Sequence, residues 1–193
     1  MPAINIQLTH PFKLKCHSLQ DLLVNCTKLS TFCTRLERQA SLFPDRYDPL
    51  KYKGDGFELF CEALIKLSPM DNRIGIGRYS PFPGLDLGTD GIGTGTNGKP
   101  ATVQCKYKSK KDDVLTANED HLSNFVVDSV MRRGVDPLDI NNMLILTTAR
   151  GLHYFTDGAM YDGKVRCLGF ENIRSLVDNN LLFWSDFSQL CSA

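Results

Sequence analysis

Several things are missing from this chain. Its seven cysteines (Cys16, Cys26, Cys33, Cys61, Cys105, Cys167 and Cys191) are odd in number and contain no Cys-x-x-Cys pair. A zinc ribbon and a complete disulfide framework are therefore not expected, and most of the thiols read as reduced, several as small hydrophobes within apolar runs. His10, His17 and His153 share no metal-binding spacing. Excess charge is also absent: 22 Lys plus Arg balance 22 Asp plus Glu. That argues against a surface coated in positive charge while leaving room for a local basic groove. No apolar run is long enough to span a bilayer, and the N-terminus lacks the charged-then-apolar layout of a signal peptide. The expectation is an intracellular, reducing location without a membrane partner. Neither internal repeats nor low-complexity segments occur. The run Gly91-x-Gly93-x-Gly95 is not followed by the Lys-Ser/Thr of a P-loop, so an ATP-binding reading is rejected.

What remains is an ordinary globular composition. A length of 193 residues and 42% apolar content suit one domain with a sizeable core. Ile4 to Leu14 reads as a short extended segment. Ser18 to Gln39 reads as one helix, with Leu22, Leu23, Cys26, Leu29, Cys33 and Leu36 at helical spacing. Phe43 to Gly54, with Pro44 and Pro49, reads as a loop. A helix over Asp55 to Leu67 follows, with Asp55 as its N-cap and Phe57, Phe60, Cys61, Leu64 and Ile65 as its buried stripe.

Strands are expected over Ile74–Tyr79, Leu85–Ile92 and Ala101–Lys108. The pattern Thr116-Ala-Asn-Glu119 is a capping box that opens a helix to about Arg133. Further strands are expected at Met143–Thr148 and Val165–Phe170, with closing helices at Glu171–Val177 and Leu181–Leu190. The order helix, three strands, helix, strand predicts an α/β fold with a mixed central sheet flanked by helices, plus an extra N-terminal helix.

The chemistry-bearing residues cluster around one hairpin. Asp90 lies before a turn-rich segment, and Gln104-Cys105-Lys106 follows it. Gln104 and Lys106 share one face of a strand. Mg²⁺ prefers oxygen ligands, and Asp90, the Gln104 amide oxygen and the Cys105 backbone carbonyl offer them. A lysine beside such a site can orient or deprotonate a water for phosphodiester hydrolysis. Glu58, on the preceding helix, is available to complete the set. Glu62, one turn later, rivals Glu58, and Asp86 rivals Asp90.

The turn carries a condition. A two-residue turn at Asn97-Gly98 would pair Gly91 with Gln104 and put Asp90 on the wrong face. The site requires a longer or bulged turn that brings Asp90 level with Gln104, with Gly93, Gly95 or Gly98 supplying unusual backbone angles.

Glu58 in Gly56-Phe57-Glu58, Asp90 in Thr89-Asp90-Gly91, and Gln104-Cys105-Lys106 resemble the PD-(D/E)XK nuclease superfamily. The likeness is to its Mrr-like, restriction-endonuclease-like branch, where Gln often replaces the second acidic residue. It spans about Lys53 to the C-terminus (53–193) and leaves residues 1–52 as an N-terminal helical extension packed on the core. The resemblance implies a restriction-endonuclease-like core and a Mg²⁺- or Mn²⁺-dependent endonuclease. Glu58, Asp90, Gln104 and the Cys105 carbonyl would organise the metal, and Lys106 would position the water.

Five lysines lie between Lys99 and Lys111. Of these, Lys108, Lys110 and Lys111, together with Arg150, are candidate phosphate contacts. DNA is the expected substrate, with RNA left open. A homodimer, association with a helicase or other DNA-processing module, and a phage or mobile-element origin fit the same resemblance.

Overall fold

A computed structural model describes residues 6–15, 19–42, 44–45, 47–68, 71–82, 88–116, 122–153 and 165–192, without the side chains of residues 15 and 140. Before the first strand come α1 (Phe12–Lys15), α2 (Leu19–Leu23), α3 (Leu29–Leu42) and α4 (Pro49–Leu67). A meander of β1 (Ile76–Pro81), β2 (Gly91–Gly95) and β3 (Pro100–Lys106) follows. Then come α5 (Leu122–Met131), β4 (Met143–Thr147), β5 (Arg166–Leu168), α6 (Phe170–Val177) and α7 (Leu181–Ser192). The five strands form one mixed sheet in the order β1-β2-β3-β4-β5. β1, β2 and β3 pair antiparallel, and β3, β4 and β5 pair parallel. The α/β architecture expected from the order of elements is present.

Helices cover both faces of the sheet. Ala101, Val103 and Cys105 of β3 point into the larger core, where α3, α4, α6 and α7 supply Phe32, Phe60, Ile173 and Phe187. Thr102 points the other way, towards α5, where its hydroxyl lies 2.8 Å from that of Ser129. Met143 and Ile145 of β4 join Leu122 and Phe125 in a smaller core on that face. Trp184 of α7 packs against Phe32 and Phe60, and its indole N–H donates to the Val177 carbonyl at 2.8 Å. The Asp178 carboxylate accepts the Leu29 N–H at 2.8 Å, and the Asn179 N–H donates to the Thr27 carbonyl at 2.8 Å. These bonds join the end of α6 to the start of α3. Among the described residues no helix is long and apolar enough to cross a membrane.

Three local expectations are corrected. The extra N-terminal helix is divided, because Asn25 takes a left-handed φ of 50° and ends α2. Arg35 then reaches back to the Leu22 and Val24 carbonyls that the break exposes. The helix expected from Asp55 begins at Pro49, with Asp48 as its cap accepting the Lys51 N–H at 2.7 Å. Proline lacks the N–H that a first helical turn leaves unused, so Pro49 starts this helix and does not prolong the loop. Within the segment expected to be extended, Phe12–Lys15 is a short helix. Glu119 of the expected capping box and the Leu85–Leu87 part of the expected second strand lie outside the described residues.

The condition on the hairpin is met. Gly91 pairs with Val103 and Thr94 with Pro100, so Asp90 sits one residue beyond the Gly91–Val103 pair, level with Gln104. The Gly98 N–H donates to the Gly95 carbonyl and the Gly95 N–H to the Lys99 carbonyl, each at 2.9 Å. That closes a three-residue loop over Thr96, Asn97 and Gly98. Gly98 takes φ 77°, which glycine adopts without a Cβ clash.

Candidate functional site

A cleft of about 930 Å³ opens beside the C-terminal end of β3. Glu58 of α4 enters it from one side, and Asp90, just before β2, from another. Cys105 and Lys106 form part of its wall, and Lys108 and Lys110 lie further along. Four residues expected to act together therefore meet: Glu58, Asp90, Cys105 and Lys106. Gln104 does not line the cleft. It shares the α5-facing side of β3 with Thr102 and is only 1% exposed. Lys111 and Arg150 are exposed and also lie outside the cleft lining.

Backbone geometry sets Asp90. Its Oδ2 accepts the Cys105 N–H at 2.7 Å, and its own N–H donates to the Val103 carbonyl at 2.9 Å. Successive carbonyls of a strand point to opposite edges. The Lys106 carbonyl faces β4, where it accepts the Thr148 N–H at 3.2 Å and the Thr147 hydroxyl at 2.8 Å. The Cys105 carbonyl therefore faces the Asp90 edge. Tyr79 packs over this corner so closely that a Cβ on Gly91 would fall 2.2 Å from its ring.

The rivalry between the two α4 carboxylates resolves by burial. Glu62 is fully buried and accepts the Thr9 N–H and hydroxyl, the His10 N–H and the Lys66 ammonium, at 2.6 to 3.0 Å. It anchors the N-terminal segment and has no oxygen to spare for the cleft. Glu58 is one-quarter exposed and keeps Oε2 2.9 Å from His10 Nε2, while its Oε1 takes no hydrogen bond among the described residues. Asp86, the rival of Asp90, lies outside the described residues.

The cations of the cleft divide into engaged and available groups. Lys51 pairs with Asp55 at 3.2 Å, and Lys53 reaches Glu37 Oε2 and the Ser109 hydroxyl, both at 3.0 Å. Tyr107 donates to Glu37 Oε1 at 2.9 Å. Burial pushes the Glu37 carboxyl up, but hydrogen bonds from Ser109, Lys53 and Tyr107 outweigh it and hold it below its ordinary value. The ammonium of Lys106, a half-buried residue, makes no hydrogen bond or ion pair among the described residues.

The cysteine thiols take no part as anions. The hydrogen bond that Cys105 donates to Cys61, reinforced by burial, holds Cys105 well above the ordinary thiol range, and burial raises Cys61 as well. Cys105 can therefore serve a cation only through its carbonyl.

Among the described residues no three His, Cys, Asp or Glu side chains gather as a metal-ligand group. The oxygens at hand are two carboxylates, Glu58 and Asp90, together with the Cys105 carbonyl, while the Gln104 amide is buried on the α5 side of β3. Gln104 Oε1 and Thr89 Oγ1 are both buried without a hydrogen-bond partner. Each such atom costs about 1–3 kcal/mol. A hard, oxygen-seeking cation with its waters beside Asp90 fits this set.

Sequence reasoning missed several residues of the cleft, His10 and Lys53 among them. His10 lies 48 positions before its partner Glu58, and no periodicity or motif connects them. Lys53 falls in the Phe43 to Gly54 segment that reads as a loop, which offers it no face or partner. Comparison with family models, curated proteins and solved structures finds no match to this chain.

Proposed function

We propose that the chain is a metal-dependent nuclease with a restriction-endonuclease-like core of the Mrr-like PD-(D/E)XK kind, acting on DNA. The observation that carries this reading is the convergence of Glu58, Asp90, the Cys105 carbonyl and Lys106, whose ammonium has no ion pair among the described residues, on one cleft, with Asp90 level with Gln104. The sequence of α4, β1, β2, β3, α5 and β4 supports the same core.

Glu58, Asp90 and the Cys105 carbonyl would hold Mg²⁺ or Mn²⁺, while Gln104, buried on the α5 side of β3, stays outside the cleft. The metal, when bound, neutralises phosphate charge and stabilises the leaving oxygen. Lys106, with no carboxylate paired to it among the described residues, orients the attacking water at its ammonium. Lys108 and Lys110 add positive charge along the path of a phosphate backbone. The neutral Gln104 leaves the site with less negative charge than a third carboxylate would give.

A second reading, a nucleic-acid-binding module with weak or no cleavage, is favoured by one observation. Among the described residues no group of three or more His, Cys, Asp or Glu side chains gathers to hold a metal. Purified protein incubated with Mg²⁺ or Mn²⁺ and with supercoiled, linear and single-stranded DNA, or RNA, separates the two. Cleavage by wild type that disappears in Asp90→Ala and Lys106→Ala supports the nuclease. Cleavage that survives both substitutions removes this site from consideration, and binding without cleavage on every substrate establishes the second reading.

A further inference from the structure

We infer that His10, supplied by the segment before α1, is a positioning residue for Glu58 and sets the cleft's affinity for its divalent cation. This inference rests on the nuclease reading of the cleft. His10 is 4% exposed, and both ring nitrogens are engaged. Nδ1 accepts the Phe12 N–H at 3.2 Å, so the ring proton resides on Nε2. Nε2 therefore donates to Glu58 Oε2 across 2.9 Å.

The ring cannot turn away from this task. The His10 N–H is held by Glu62 Oε2 at 2.9 Å, Thr9 on one side by Glu62 Oε1, and Phe12 on the other is buried against Tyr52. Lys66 adds a bond to the Gln7 carbonyl at 2.8 Å. Two carboxylates one turn apart on α4 thus have different duties. Glu62 fastens the segment, and the fastened segment aims a donor at Glu58. One Glu58 oxygen is fixed in place, and the other stays open for a cation. A carboxylate oriented in this way loses less freedom on binding a metal, and removal of such an outer partner weakens metal binding by about 10–100-fold.

The two nitrogens can be tested separately, because a Gln side chain places its amide N–H₂ near imidazole Nε2 and an Asn places its oxygen near Nδ1. Mn²⁺ is titrated into the full chain without nucleic acid and followed by electron paramagnetic resonance. Wild type, His10→Gln and His10→Asn are compared. His10→Gln keeps the donor to Glu58 and should bind Mn²⁺ close to wild type. His10→Asn keeps the acceptor for Phe12 and should bind about 10–100-fold more weakly. If His10→Asn does not fold, His10→Ala takes its place in the comparison. A His10→Gln variant that binds no better than His10→Asn or His10→Ala overturns the inference while the nuclease reading stands. A wild type that binds no Mn²⁺ removes both.

Discussion

The Asp90 carboxylate accepts the Cys105 backbone N–H at 2.7 Å, so the acid of the cleft also closes the end of the β2–β3 ladder. The two duties separate under substitution. Asp90→Asn retains an acceptor oxygen but loses the charge, whereas Asp90→Ala loses both. Cleavage should vanish in each. Asp90→Ala should also lose about 1–3 kcal/mol of stability by leaving the Cys105 N–H without its partner, while Asp90→Asn stays near wild type in urea unfolding. Equal stability of the two variants would mean that the Cys105 bond contributes nothing.

Lys106 offers the opposite case. Its ammonium makes no ion pair among the described residues, so Lys106→Ala should change stability by no more than about 0.5 kcal/mol. If Lys106 orients the water, cleavage should fall about 10²–10⁴-fold. A thermal melt beside a plasmid-nicking assay reads both quantities. A large loss of stability with a matching loss of activity would make Lys106 a structural residue.

Glu62→Ala should destabilise strongly, by about 3–5 kcal/mol, because it strands the Lys66 ammonium and three further donors of the N-terminal segment. The segment around Thr9 and His10 should then become sensitive to limited proteolysis. A Glu62→Ala protein that resists protease like wild type would show that the segment is held by other contacts.

Acid should loosen the cleft rim through Glu37. Its carboxyl is held below the ordinary value of 4.5 by Ser109, Lys53 and Tyr107 against the opposing effect of burial. The unfolded chain therefore takes up this proton first as pH falls. The stabilisation is complete above 4.5 and is lost as pH drops through the lower folded value. Urea midpoints measured from neutral pH to below 4.5 should fall in wild type and fall less steeply in Glu37→Gln. Parallel profiles for the two proteins would assign the acid sensitivity to other carboxylates.

The hairpin was the most legible part of the molecule in its sequence. Side chains alternate along a strand with a period of two, so the demand that Asp90 meet Gln104 dictated a turn longer than two residues, and Gly98 supplies it. The start of α4 was not legible, because Pro49, Gly54 and Gly56 look like loop residues until Asp48 is seen to cap the helix. The break at Asn25 was hidden by an apolar spacing that continues across it. Gln104 was expected beside Asp90 and Lys106 in the site, but it is buried on the face that α5 covers, a tertiary fact with no local sign. His10 was invisible as a partner of Glu58 for the same reason.

The bonds between Leu29 and Asp178, and between Thr27 and Asn179, have a consequence for the order of folding. Phe32 and Phe60 belong to helices made early, but much of the aromatic surface that covers them, Trp184 and Phe187, is made late. Contacts so distant along the chain impose a large closure entropy before they return any burial, and they slow folding. On the ribosome, α3 and α4 must wait, with apolar faces uncovered, until α7 has emerged.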